Sequence, residues 1–289
     1  MRITKLLNFF FKKNYNWQKS VKYKKGVIKD NYKICLFAHY DRENKVNDYT
    51  TNYLKNLKNF GFEIIFISTS DYLSESELVK IESFTSIIII RENIGYDFGS
   101  WATGFSYLKN IKKINQIVIV NDSVYGPISS LEYALSKLEQ SDCDIWGIND
   151  SYEIAHHIQS YFICFKNRSI SEGFVNKYFD SIKIEKSKQD IINNYEVGLM
   201  QLAIKLGYKI DTLCNYNEVI KKINPKFSKY ESVINNVEFI NPTLWLPSIL
   251  SDDFKSPFIK KELIKSNPHN IDLTSILIKI SDYKNAIKK

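Results

Sequence analysis

A glutamate inside an apolar helical stripe is the first place to look for chemistry. "NYEVGLMQLAIKLGY" (194–208) reads as a helix whose apolar positions are Ile192, Tyr195, Leu199, Ala203 and Leu206, and Glu196 falls within that stripe. Burial disfavours an ionised carboxylate, so a carboxylate facing a core is paired or used, and a raised pKa is what a general base needs. A glutamate at a helix end beside a cleft, or one paired with a lysine, would leave the same pattern.

Three further clusters follow apolar runs. "NDSVYGP" (121–127) comes straight after "IVIV" and contains Asn121, Asp122 and Ser123, with Asp122 the only carboxylate. Polar groups at such a place can hold a diphosphate or a metal, although an Asn-Asp-Ser turn is also common. "RENIGYDFGSW" (91–101) follows four isoleucines and supplies Asn93, Gly95, Tyr96 and Asp97. Gly95 would let backbone approach a ligand, and Asp97 sits where a helix begins. His39 and Asp41 close the first apolar run, where a base or ribose would lie. His156 and His157 are adjacent, so on a strand they point to opposite faces and do not readily share an ion.

The elements that must position these groups alternate. Apolar runs at 32–41, 62–69, 85–92 and 116–122 are separated by helical stripes, such as Tyr49, Tyr53, Leu54, Leu57 and Phe60, and Phe98, Trp101, Ala102, Phe105 and Leu108. This predicts an α/β fold with a mostly parallel central sheet flanked by helices, and a ligand crevice at the carboxyl ends of the strands. "HIQSYFICF" reads as one later strand, and helices are predicted over 171–183 and from near Ser187 to Gly207. The organisation expected is a basic aromatic arm over 1–29, a single main domain over 30–250 and a helical tail over 251–289.

Composition narrows the function. The chain has 289 residues, 44% of them hydrophobic, enough to fill a core. Its net charge of +8 is carried entirely by residues 1–25, which hold eight basic residues and no acid, so the rest balances at 32 against 32. A nucleic-acid-binding face on the body is therefore not expected. The same arm carries Leu6, Leu7, Phe9, Phe10 and Phe11, too short a cluster to span a bilayer but suited to an anionic membrane surface. Cys35, Cys143, Cys164 and Cys214 are far apart, with no metal-ligand spacing, and read as reduced thiols of a cytoplasmic protein. No P-loop, GxGxxG, HExxH or GxSxG motif occurs.

Taken in order, "FAHYDRENKVNDY", "RENIGYDFGSW", "VNDSVYGP", "WGIND", "HHIQSYFICF", "NYEVGLMQLAIKLGY", "NPTLW" and "SPFIKKELIKSNP" resemble the rhamnan synthesis protein F family of bacterial polysaccharide glycosyltransferases. The resemblance spans roughly residues 34–268. It implies a GT-A-like nucleotide-sugar fold, a nucleotide-sugar donor such as dTDP-rhamnose, a lipid-linked glycan acceptor, and work at the inner face of the membrane. A looser similarity to inverting GT-A enzymes matches Asn93 and Gly95 to an Asn-x-Gly turn that lines the nucleotide. It also matches Glu196 to the catalytic acid that opens a helix ending in Gly-Tyr-Lys, with Val197 in place of a second acid.

At the metal-binding Asp-x-Asp stand Asn121, Asp122 and Ser123, so both outer aspartates are missing. Mg2+ or Mn2+ would have Asp122 alone, and such ions prefer more carboxylate and water oxygens. The resemblance thus implies Glu196 or Asp97 as catalytic carboxylate and His39, Asp41, Asn93, Gly95, Tyr96, Asp97, Asn121, Asp122 and Ser123 on the donor side. Trp146, His157, Gln159 and Tyr195 are expected on the acceptor side. Arg91 is a candidate for stabilising the leaving diphosphate. The missing aspartates also fit an alternative, a non-catalytic sugar-nucleotide or glycan-binding subunit of a synthesis complex.

Overall fold

The computed structural model describes residues 15–28, 32–223 and 239–288. Its strands are β1 (Val21–Gly26), β2 (Lys33–His39), β3 (Glu63–Ser68), β4 (Ile87–Arg91), β5 (Gln116–Asn121), β6 (Val124–Tyr125), β7 (Ile145–Ser151), β8 (His157–Ile158), β9 (Phe162–Lys166), β10 (Ile210–Cys214) and β11 (Ile259–Lys260). The central sheet runs β1-β4-β3-β2-β5-β9-β7-β10, with β8 on β7. The four apolar runs are β2 to β5, parallel to one another. β9 is antiparallel to β5 and β7, and β10 is parallel to β7. The α/β fold with a mostly parallel, helix-flanked sheet is therefore observed. "HIQSYFICF" is not one strand: a turn separates β8 from β9.

Both sheet faces are covered, which is why the strands read as unbroken apolar runs. Alternate residues, Ile34 and Leu36 against Cys35 and Phe37, feed separate cores. Helices α1 (Asp48–Asn59), α2 (Glu75–Glu82) and α4 (Leu131–Gln140) cover one face. On the other lie α3 (Tyr96–Phe105), α5 (Phe174–Ser181) and a composite helix of α6 (Lys188–Ile191), a π-helical turn (Ile192–Val197) and α7 (Gly198–Lys205). All four cysteines are buried and free.

The N-terminal boundary differs from the expectation. Residues 1–14 and 29 of the arm lie outside the described residues. Residues 15–28 instead join the sheet domain. β1 pairs antiparallel with β4, and Trp17 is buried with its indole N–H donating to the Ile182 carbonyl (3.1 Å). β1 is an edge strand whose Lys22, Lys24 and Lys25 are exposed, and edge lysines discourage further strand pairing. Those lysines give the segment the composition of a solvated arm.

The tail likewise docks on the domain. It is helical in α8 (Lys261–Ser266) and α9 (Thr274–Lys288), but β11 pairs antiparallel with β6. Tyr283 of α9 donates its hydroxyl to the Gly126 carbonyl at 2.8 Å.

Candidate functional site

The polar groups at the carboxyl ends of β2 and β5 meet the start of α3. Gly95 (φ +74°) and Tyr96 (φ +53°) both take left-handed conformations there, which is uncommon for tyrosine and marks a strained turn. The turn brings Asp97 to β5, where the Asn121 side-chain amide donates to Asp97 Oδ2 at 2.8 Å. Asn121 Oδ1 in turn accepts from the Ser123 backbone N–H (3.1 Å) and hydroxyl (2.7 Å). An aspartate at 121 would face Asp97 with a like charge, so the asparagine has a local reason.

Burial pushes the Asp97 carboxyl up to about 6, helped by the Asp122 charge and opposed by the Asn121 hydrogen bond. The folded-state value exceeds the ordinary 3.8, so the fold holds this proton more tightly than the unfolded chain does. The stability that follows is complete at low pH and is lost as pH rises through about 6. Asp97→Asn is therefore expected to raise unfolding free energy at pH 8 by up to about 3 kcal/mol, two units at about 1.4 kcal/mol each, and to leave it unchanged near pH 3.5. Urea titrations at the two pH values check this. An equal gain at both would assign the effect to packing instead of charge.

His39 is buried, with Nδ1 3.0 Å from the Ser68 hydroxyl and Nε2 facing Asp122 Oδ2 at 4.0 Å without a hydrogen bond. Burial lowers its pKa, which favours the neutral ring. The other residues expected on the donor side have the following local surroundings. Asp41 Oδ1 accepts the backbone N–H groups of Glu43 and Lys45 and Oδ2 accepts from Asn47, so this carboxylate shapes the turn before α1. Asn93 is exposed beside the turn. The space left by Gly95 belongs to a protein side chain: a Cβ there would lie 2.4 Å from the Trp17 ring. Arg91 is buried and donates to the Ser20 and Ser100 hydroxyls and the Ile94 carbonyl, leaning on Trp17, so it supports the turn from behind.

Glu196 sits on the π-helical turn, a feature often found at functional sites because it shifts side-chain phase locally. Its Oε1 accepts the Ser160 backbone N–H at 2.9 Å, fixing it to the turn between β8 and β9. Tyr195 faces the core, with its hydroxyl donating to Glu185 Oε1 (2.7 Å), and is not an acceptor-side residue. Trp146 is also corrected: it is buried on the α4 face of the sheet against Phe162. His157 and Gln159 are buried, with His157 Nδ1 2.7 Å from the Ala155 carbonyl and Nε2 3.2 Å from Gln159 Nε2, while Gln159 Oε1 accepts from the Asn241 amide (3.4 Å). They support the turn that holds Glu196.

Two site residues have no counterpart among the sequence-based expectations. The ribbon of β6 and β11 fastens the tail to the 121–125 loop, with the Lys261 N–H donating to the Ser123 carbonyl at 2.9 Å. Lys261 Nζ lies 3.8 Å from Asp122 Oδ2, bonds the Tyr49 hydroxyl at 3.1 Å and rests 4.3 Å over the Tyr49 ring. Lys260 lies over Tyr161 at 5.0 Å. Burial lowers its pKa, while Glu196, Glu262 and Asp97 raise it. The only signal for them is "FIKKE", which lies within one of the resembling stretches and has a helical pattern.

The donor set fits a divalent metal poorly. No cluster of three acidic, histidine or cysteine ligands occurs among the described residues, and the cation beside Asp122 is Lys261. A separate 410 Å³ cavity, lined by Lys24, Val27, Tyr32, Tyr107 and neighbours, opens at the amino ends of β2 and β4, remote from these groups. No helix among the described residues is long and apolar enough to cross a membrane.

Virulence protein VirA of Vibrio anguillarum is 31% identical over 258 residues, spanning 82% of this chain and 80% of that protein. The uncharacterized protein y4gN of Sinorhizobium fredii is 28% identical over 173 residues, 58% of this chain and 45% of that one. Among solved structures, the galactosyltransferase LgtC with donor and acceptor sugar analogs superposes with a TM-score of 0.36 at 11% identity, over 72% of this chain and 84% of that one. Residues 64–287 match the rhamnan synthesis protein F family profile, and on that span the chain belongs to this family.

Proposed function

We propose that the chain is a glycosyltransferase that moves a sugar from a nucleotide-sugar donor, dTDP-rhamnose or a relative, to a lipid-linked glycan during polysaccharide synthesis. The family supports the glycosyltransferase class. The observation that supports a transfer site is the Asp97–Asn121–Ser123 network at the carboxyl end of β5, with Asp122 facing Lys261 and with Glu196 held on the neighbouring π-helical turn. Glu196 takes the proton of the acceptor hydroxyl as that oxygen bonds to the anomeric carbon. The bond from that carbon to the diphosphate oxygen breaks on the opposite face, so the centre inverts. The neutral His39 ring and Ser123 face the diphosphate, and Asp97 orients Asn121.

A panel of nucleotide sugars, assayed for nucleoside diphosphate release and thermal shift, tests this. Release from one donor is expected. No release and no shift with any donor would sink the reading. The basic aromatic residues 1–14 hold the enzyme at the inner face of the membrane. Sedimentation with anionic vesicles, with and without those residues, tests that role, and equal binding would exclude it.

A further inference from the structure

The missing outer aspartates leave a question of charge. Departure of a nucleoside diphosphate builds negative charge that needs a fixed positive partner. We propose that Lys260 and Lys261, carried in by the C-terminal ribbon, supply that charge in place of a divalent ion. The inference rests on the glycosyltransferase reading and specifies how that site treats its leaving group.

Three observations carry it. First, the ribbon is in register with the Asp122 loop: Ile259 pairs with Tyr125 and Lys260 with Val124, so the lysines are positioned by backbone and not by chance contact. Second, Lys260 ends the two-residue strand β11 and Lys261 opens α8, so the pair sits at the junction of ribbon and helix. Lys261 reaches Asp122 at 3.8 Å, and Lys260, over the Tyr161 ring, has Glu196, Glu262 and Asp97 as its charged neighbours. Third, Nε2 of His39, buried and without a hydrogen-bond partner, points at the same carboxylate. Asp122 serves to hold Lys261 until a diphosphate takes its place. Two lysines together match the charge of one divalent ion, and Arg91, the other strong cation near the turn, has its donors engaged behind Trp17.

The step balances without a co-reactant. The acceptor oxygen gains the anomeric carbon, Glu196 gains the proton, and the diphosphate leaves with the electron pair of the broken bond, paired to the lysines.

The test is calorimetric titration of the full chain with dTDP, UDP and GDP, each in EDTA and again in Mn2+. At least one is expected to bind equally in both. Lys261→Met should weaken that binding tenfold or more with Mn2+ unable to restore it, and Lys261→Arg should keep most of it. Lys260→Met, which retains the stem over Tyr161, should weaken it similarly, and unchanged urea midpoints would show that both variants fold. Binding that disappears in EDTA and returns with Mn2+ would overturn the lysine assignment while leaving the glycosyltransferase reading in place. Normal affinity in both methionine variants would overturn it too. No binding of any diphosphate under either condition would overturn both.

Discussion

Glu196→Gln is expected to lower kcat by about 10²- to 10⁴-fold, the usual contribution of a positioned general base, with little change in donor affinity. The separation is sharp because the amide is nearly isosteric and its oxygen can still accept the Ser160 N–H that fixes the side chain. What is lost is the ability to take a proton. Turnover of the active donor and calorimetry on the same preparation check the two halves. If turnover fell less than tenfold, the base would lie elsewhere, and Asp97, with its raised pKa, would be next.

Trp17→Ala should cost about 3–5 kcal/mol, the range for removing a large buried aromatic. A typical domain has about 5–15 kcal/mol in total, so this change would bring the protein near its unfolding threshold. Trp17 is 4% exposed, hydrogen-bonds Ile182, covers the Arg91 guanidinium and fills the space above Gly95 and Gly99. Removing it opens a cavity and lets water reach a buried cation at once. Urea unfolding measures the loss, with Tyr23→Ala on the exposed edge strand as comparison. A loss below about 1 kcal/mol would mean that residues 15–28 lie outside the cooperative unit. The same packing implies that a truncation meant to test membrane association should stop at 14, since deleting 1–25 also takes Trp17 and most of β1.

The central strands were legible because both their faces are buried, and an unbroken apolar run of strand length such as Ile87–Ile90, rich in β-branched residues, matches a strand covered on both sides. The same property hid Trp146. In a sheet covered on both sides, sequence does not say which face a residue takes, and Trp146 goes to the α4 side with Phe162. Glu196 was legible as a carboxylate in an apolar stripe. Its neighbour Tyr195 lies in the core as the apolar stripe indicated, and only the acceptor-side role that came with the resemblance displaced it. Gly95 stood out as special, but the occupant of its space, Trp17, lies in a lysine-rich segment that reads as solvated. Lys260 and Lys261 escaped notice because a two-residue strand has no period to detect, and the helical pattern after it absorbs both.

The ribbon also sets an order of events during synthesis. Chains are made and begin to fold from the amino end. The sheet, with Asp97, Asp122 and Glu196, is complete once β10 has been made, well before Lys260 and Lys261 leave the ribosome. Until then Asp122 lacks its lysine neighbour. When β11 closes on β6, Lys261 is set 3.8 Å from Asp122 and part of that negative charge is compensated. The last strand to be made is thus the one that brings the lysines to the loop that carries Asp122.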